Sequence, residues 1–208
     1  LQSPAGGMAF DSTTQNLLIT QPKNNQIVRI DPAQSPLVGE LQLNKAIRDI
    51  KVNNVTHQAV AIARKLRELY ILSLSDQSIK TIQLGGIPEH IALDTRKNIA
   101  IVALEEPGHK LVFVDLAAGT VFPEKIDMEV EALAVDETRG VSVVLGDEHR
   151  LSVIDNSTRT ILSSQKLKNE YDDLAIHSGL GNAYLVSQSK KLGIFNLDSR
   201  TLTSESLL

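Results

Sequence analysis

Eight residues carry the chemistry this chain can offer, and they recur at one interval. Arg48 and Asp49, Glu89 and His90, Glu131, and Asp172 and Asp173 stand at equivalent points of successive segments, each 41 or 42 residues after the last. Gly6 and Gly7 hold that point in the first segment, and Lys51 lies two residues past Asp49. Carboxylates with a histidine are suitable ligands for a hard or borderline divalent cation. The same groups suit recognition of a cationic ligand, and a solvated polar rim is the bland alternative. Lys51 breaks a rule that the other segments keep, because its counterparts are Ala9, Ala92, Ala134 and Ala175. A lone ammonium is costly to bury, so Lys51 is expected to reach a collar carboxylate or water. There it would serve as an anion anchor, as a base of lowered pKa, or as half of a structural ion pair.

A basic set accompanies the acidic one. Lys23, Arg64, Lys65, Arg67, His109, Lys110, His149, Arg150, Lys190 and Lys191 fall between the second and third apolar runs of their segments. A ring of such residues would meet an acidic partner surface, and solvated loop charge explains it equally well.

Reaction signatures are missing. The five histidines show no H-x-x-x-H or H-E-x-x-H spacing, and Gly85-Gly86 lacks a phosphate-loop setting. Asn54-Val55-Thr56 and Asn156-Ser157-Thr158 fit the glycosylation triplet, which informs only for a eukaryotic secreted chain. There is no cysteine among the 208 residues, so disulfides, thiolate zinc sites and cysteine nucleophiles are excluded. A net charge of −4 gives no electrostatic footprint for nucleic acid. No apolar run nears the ~18 residues of a membrane helix. Aromatics are 3% and Trp is absent, which weakens a carbohydrate-binding reading. The chain opens LQSPAGG rather than with Met. It is therefore read as cut from something longer, with a secreted, periplasmic or bacterial surface setting.

The elements that must position these residues follow from the same period. Asp11, Asn53, Asp94, Asp136 and His177 head the first turn of each segment, at steps of 42, 41, 42 and 41. A fixed period in that range signals a repeat architecture. Each repeat holds four short apolar runs separated by turn residues, the pattern of an antiparallel meander. Asp31, Ser73, Asp115, Asp155 and Asn196 close the third runs, where short polar side chains favour hairpin turns. The second and third runs are nearly continuous in apolar residues, as burial on both faces demands. The fourth carry more Lys, Glu, Gln and Ser, as an outer strand should. Ala59 to Leu74 has a helical composition, but the repeat assigns it to strand, loop and strand, and tertiary context overrides propensity.

Repeat four, ALAVDETRGVSVVLGDEHRLSVIDNSTRTI, resembles the YVTN/NHL group of β-propellers in its x-A-V-D, V-x-V, L-S-V-I-D and T-x-x-I runs. Repeats three and five follow in IALDTRKNIAIVAL and LAIHSGLGNAYLVS. The Y-V-T-N tetrapeptide itself is absent, with Ala183 to Ser187 the nearest approach, and no WD dipeptide occurs. The resemblance spans the chain. It implies an all-β single domain over 1–208, a β-propeller of five four-stranded antiparallel blades. Their approximate limits are 6–43, 48–84, 89–126, 131–167 and 172–208.

Five repeats leave no strand over to complete a mixed blade. The expectation is a closed or nearly closed ring. The alternative is a fragment of a larger ring, whose two bare apolar faces would drive self-association. Fold does not dictate function. The expected role is a non-catalytic binding or assembly module, with a protein partner or flanking domains of a parent chain. The alternative is a metal-dependent hydrolase or lactonase-type propeller with a divalent cation at the channel mouth.

Overall fold

β-Branched and aliphatic runs four to seven residues long, cut by Asp, Asn and Gly turns, leave this chain little choice but short antiparallel strands. The computed structural model describes residues 3–33, 37–43, 45–105, 108, 110–126 and 128–207. His109, named among the basic residues above, lies outside them. Blade 1 is β1 (Met8–Asp11), β2 (Asn16–Gln21), β3 (Gln26–Ile30) and β4 (Leu37–Gln42). Blade 2 follows with β5 (Asp49–Asn53), β6 (Gln58–Ala63), β7 (Glu68–Ser73) and β8 (Ile79–Gln83). Blade 3 comprises β9 (Pro88–Asp94), β10 (Ile99–Leu104), β11 (Lys110–Asp115) and β12 (Val121–Lys125). In blade 4 these are β13 (Val130–Asp136), β14 (Val141–Gly146), β15 (Arg150–Asp155) and β16 (Ile161–Lys166). Blade 5 closes the series with β17 (Asp173–His177), β18 (Asn182–Val186), β19 (Lys191–Asn196) and β20 (Thr201–Leu207). Each sheet is a plain four-stranded meander in chain order, so the all-β five-bladed propeller is the architecture observed.

The helix-prone stretch resolves as the repeat requires. Only Arg64–Leu66 coils, as a single 3-10 turn between β6 and β7, and Pro22–Asn24 does the same in blade 1. Both turns end on a left-handed residue, Asn25 and Arg67.

The turn residues act as their chemistry predicts. Asp11 Oδ1 accepts from Thr13 N, Asn53 Oδ1 from Val55 N, Asp94 Oδ1 from Lys97 N, and Asp136 Oδ1 from Thr138 N. All four are buried, because the following blade lies over them. His57 Nε2 sits 3.3 Å from Asp11 Oδ2, and Asn53 donates to Asn98 Oδ1 at 2.9 Å. Asn156 donates to Asp94 Oδ2 at 3.0 Å. From blade 4, Arg139 grips Asp198 of blade 5 through two nitrogens at 2.7 and 2.8 Å, and also donates to Ser178 O. Polar groups buried this way are satisfied in pairs, as low dielectric demands.

Apolar clusters fill the spaces between successive blades. One joins blades 1 and 2 around Leu18, Ile50 and Tyr70; a second joins blades 2 and 3 around Ile62, Leu69 and Val102. The third joins blades 3 and 4 around Phe113, Met128 and Val144, and the fourth joins blades 4 and 5 around Leu151, Ala183 and Phe195. The inner strands pack side by side along this series, β1 on β5, β5 on β9, β9 on β13 and β13 on β17. Among the described residues, β17 and β1 do not pack together to that extent. Met8 (60% exposed), Phe10 (45%) and Val186 (37%) look outward from the two ends, and His177, unlike its four counterparts, is exposed. Among the described residues, therefore, the expected closure by face packing does not reach the extent seen between successive blades, and the five blades form an open arc. Among the described residues no further sheet lies over the outward faces of blades 1 and 5.

Candidate functional site

The segments leading into the inner strands of blades 1 to 3 surround a cavity of about 590 Å³. Gly6, Gly7, Pro22, Ala46, Arg48 and Asp49 line one side, with Arg64, Lys65, Glu89 and His90 on the other. The blade 1 glycines are there because nothing larger fits. A Cβ on Gly6 would lie 2.5 Å from Arg48 O, and one on Gly7 would lie 2.7 Å from Asp49 Cα and 2.9 Å from Ile50 N. Thr20 Oγ1 accepts from Gly7 N at 2.7 Å and fixes that approach.

Two glutamates reach their positions through backbone irregularity. His90 pairs with Ala103 and Pro88 with Leu104, which leaves Glu89 as the extra residue of a β-bulge. Glu131 is the extra residue at the same point of blade 4, between Val130 opposite Gly146 and Ala132 opposite Leu145. A bulge bends the strand and re-aims the side chain it carries. Glu89 Oε1 thereby meets Arg64 Nη1 at 3.2 Å and Arg48 Nη2 at 3.8 Å, while Arg64 also pairs with Glu105. Lys51 reaches the collar, with Nζ 3.1 Å from Asp49 Oδ2 and 40% of its side chain exposed. The inner-strand position it shares with four alanines looks toward the next blade, as Ala9 and Ala134 do. Burial holds the His90 imidazole below its ordinary pKa, against the pull of the neighbouring Glu89 carboxylate.

The collar does not converge. Glu131, Asp172 and Asp173 lie outside the cavity lining. Asp172 Oδ2 accepts from Gln188 N at 2.6 Å and Asp173 Oδ1 from Leu174 N at 2.8 Å, so both carboxylates are turned onto backbone. Burial pushes the Glu131 carboxyl up, and Glu170, Asp172, Asp147 and Glu129 push it further. Among the described residues no three His, Asp or Glu side chains come together to hold a metal ion. One mouth thus carries two fields. Arg48, Arg64 and Lys65, all of blade 2, share the cavity with Asp49 and Glu89, and, among the described residues, unpaired carboxylates crowd around Glu131 on blades 4 and 5.

Sequence reasoning set Arg64 outside the collar and passed over Glu105. The 3-10 turn that begins at Arg64 brings it into the cavity, and the signal available was the Arg64–Glu105 separation of 41 residues, one repeat.

No protein-family model matches the sequence, and no curated protein matches it. Solved structures do resemble its fold. A chain of a nidogen/laminin complex superposes with a TM-score of 0.78 at 10% identity, over 98% of this chain and 80% of that one. The β-propeller domain of Myceliophteria thermophila Cps50 (Swd1) superposes with a TM-score of 0.80 at 14% identity, over 99% of this chain and 72% of that one. These likenesses establish the class: the chain is a β-propeller. At such identities they speak of fold alone.

Proposed function

We propose that the chain is a non-catalytic binding and assembly module within a larger exported or surface protein, and that its main contact is made by the free faces of blades 1 and 5. The observation that carries this reading is the unmade fifth interface. Blade 4 turns Val143, Leu145, Leu151 and Val153 toward its neighbour, all fully buried. Blade 5 repeats that set as Tyr184, Val186, Leu192 and Ile194, with no sheet among the described residues to cover it. Apolar area removed from water contributes about 25 cal/mol per Å², so two bare faces of this kind favour a covering sheet. The occupant they fit is a further blade of the parent polypeptide, apolar on both faces. The two similar structures support this, since each extends beyond the part this chain matches.

The 208-residue chain alone is expected to bind 8-anilinonaphthalene sulfonate and to associate as its concentration rises in sedimentation velocity. Met8→Lys and Ile194→Lys, one on each free face, should suppress both. Adding the flanking parent sequence should give a monomer with no dye binding and a higher Tm. A dilute and concentrated chain that stays monomeric and ignores the dye would sink the reading. The metal-dependent hydrolase alternative gains no comparable observation.

A further inference from the structure

The repeat is broken at one more place, inside a formed interface. Two residues before the turn residue that closes each third run (Asp31, Ser73, Asp115, Asp155, Asn196) the chain carries Ile71, Phe113, Val153 and Ile194, and in blade 1 it carries Arg29. Ile71, Phe113 and Val153 are buried against the next blade. Arg29 looks into the same space between blades 1 and 2. Its partner across the ladder is Gly39, where the other blades place Lys80, Phe122, Ser163 and Ser204. One interface has thus exchanged an apolar side chain for a cation and a fourth-strand side chain for none.

A cavity of about 80 Å³ results, with an apolar wall that includes Leu18, Ile27, Ala59 and Leu72 and a polar one that includes Arg29 and Glu40, whose carboxylate accepts from Gln26 Nε2 at 3.5 Å. A Cβ on Gly39 would lie 3.7 Å from Arg29 Nη2, so the guanidinium crosses the bare glycine. Arg29 has no ion pair or hydrogen bond among the described residues. A guanidinium offers five donors in a planar fork that matches a carboxylate. Half-buried beside this cavity, with no carboxylate in ion-pair contact among the described residues, it lacks the partner that its chemistry selects.

We propose that this cleft is a binding site for a partner peptide that presents an aliphatic side chain beside a carboxylate. The side chain fills the space among Leu18, Ile27, Ala59 and Leu72, and the carboxylate pairs with Arg29. The volume is of the order of one branched aliphatic side chain. The site lies between blades 1 and 2 and does not depend on how the arc is completed.

The test is a titration followed by ¹H–¹⁵N NMR, with N-acetyl-L-leucine as probe and N-acetyl-L-leucinamide as its uncharged control. Amide shifts should move at Leu18, Ile27, Ala59 and Leu72. The acid should bind about three- to tenfold more tightly than the amide, as a charge-assisted pair implies. Arg29→Ile installs the residue that blades 2 and 5 carry, so it preserves the fold and should erase the acid's advantage. Gly39→Ser, after blades 4 and 5, should weaken both probes. The proposal fails if neither probe moves these amides, if the acid and the amide bind equally, or if Arg29→Ile keeps the preference.

Discussion

Gly7 shows how much a single missing side chain can decide. The equivalent residues of the other blades are Asp49, His90, Ala132 and Asp173, each of which carries a Cβ. In blade 1 the backbone of Asp49 and Ile50 stands where a Cβ would go. Gly7→Ala should therefore lower stability by about 1–3 kcal/mol through overpacking, read as a lower urea midpoint at unchanged slope. His90 supplies a pH dependence of known sign. Its imidazole is depressed by burial and faces Glu89, Arg48, Asp49 and Lys51. The unfolded chain takes up a proton near pH 6.5, about the ordinary value, while the folded chain resists it. Stability should fall as pH drops below that point, and His90→Phe should flatten the fall in thermal melts taken between pH 7 and about pH 5. A steeper fall in the variant would contradict this.

At the scale of the element, the strands were legible because each obeys two signals at once, an apolar run and an Asx-type turn residue in register. Even Ala59 to Leu74 yielded, since the repeat outweighed its composition. The bulges at Glu89 and Glu131 were not legible. A bulge adds a residue without changing residue type, so only pairing reveals it. The collar was half legible for the same reason: spacing marked where its residues begin, while the direction of each side chain came from bulge and backbone capping. The turn residues also link element to element, which the turn pattern alone does not disclose. Asp94→Ala leaves the Asn156 amide buried without its acceptor, and an unsatisfied group of that kind costs about 1–3 kcal/mol. Denaturation should register that loss, whereas Asp31→Ala, at an exposed turn, should change little.

At the scale of the whole molecule, the period gave the number of blades but not the curvature of their arrangement. Closure depends on the small rotation from each sheet to the next, which no residue spells out. What sequence did hold was a hint at the last blade. His177 and Leu180 stand where blade 4 has the buried Asp136 and the Arg139 clasp, and both are exposed. The clasp ends where the neighbours end.

An arc differs from a ring in having two ends, and fraying needs an end to begin from. Blade 3 is held by a cluster on each side, whereas blades 1 and 5 are each held on one. In a linear array of this kind the free energy of local opening rises inward from the termini. Amide hydrogen exchange should therefore be fastest in β1–β4 and β17–β20 and slowest in β10 and β11. Uniform exchange across the five blades would mean that the array melts as one body. If the gradient is found, completing the arc would do more than cover apolar surface. It would remove the two starting points of unfolding, and the last blade added would set the lifetime of every other.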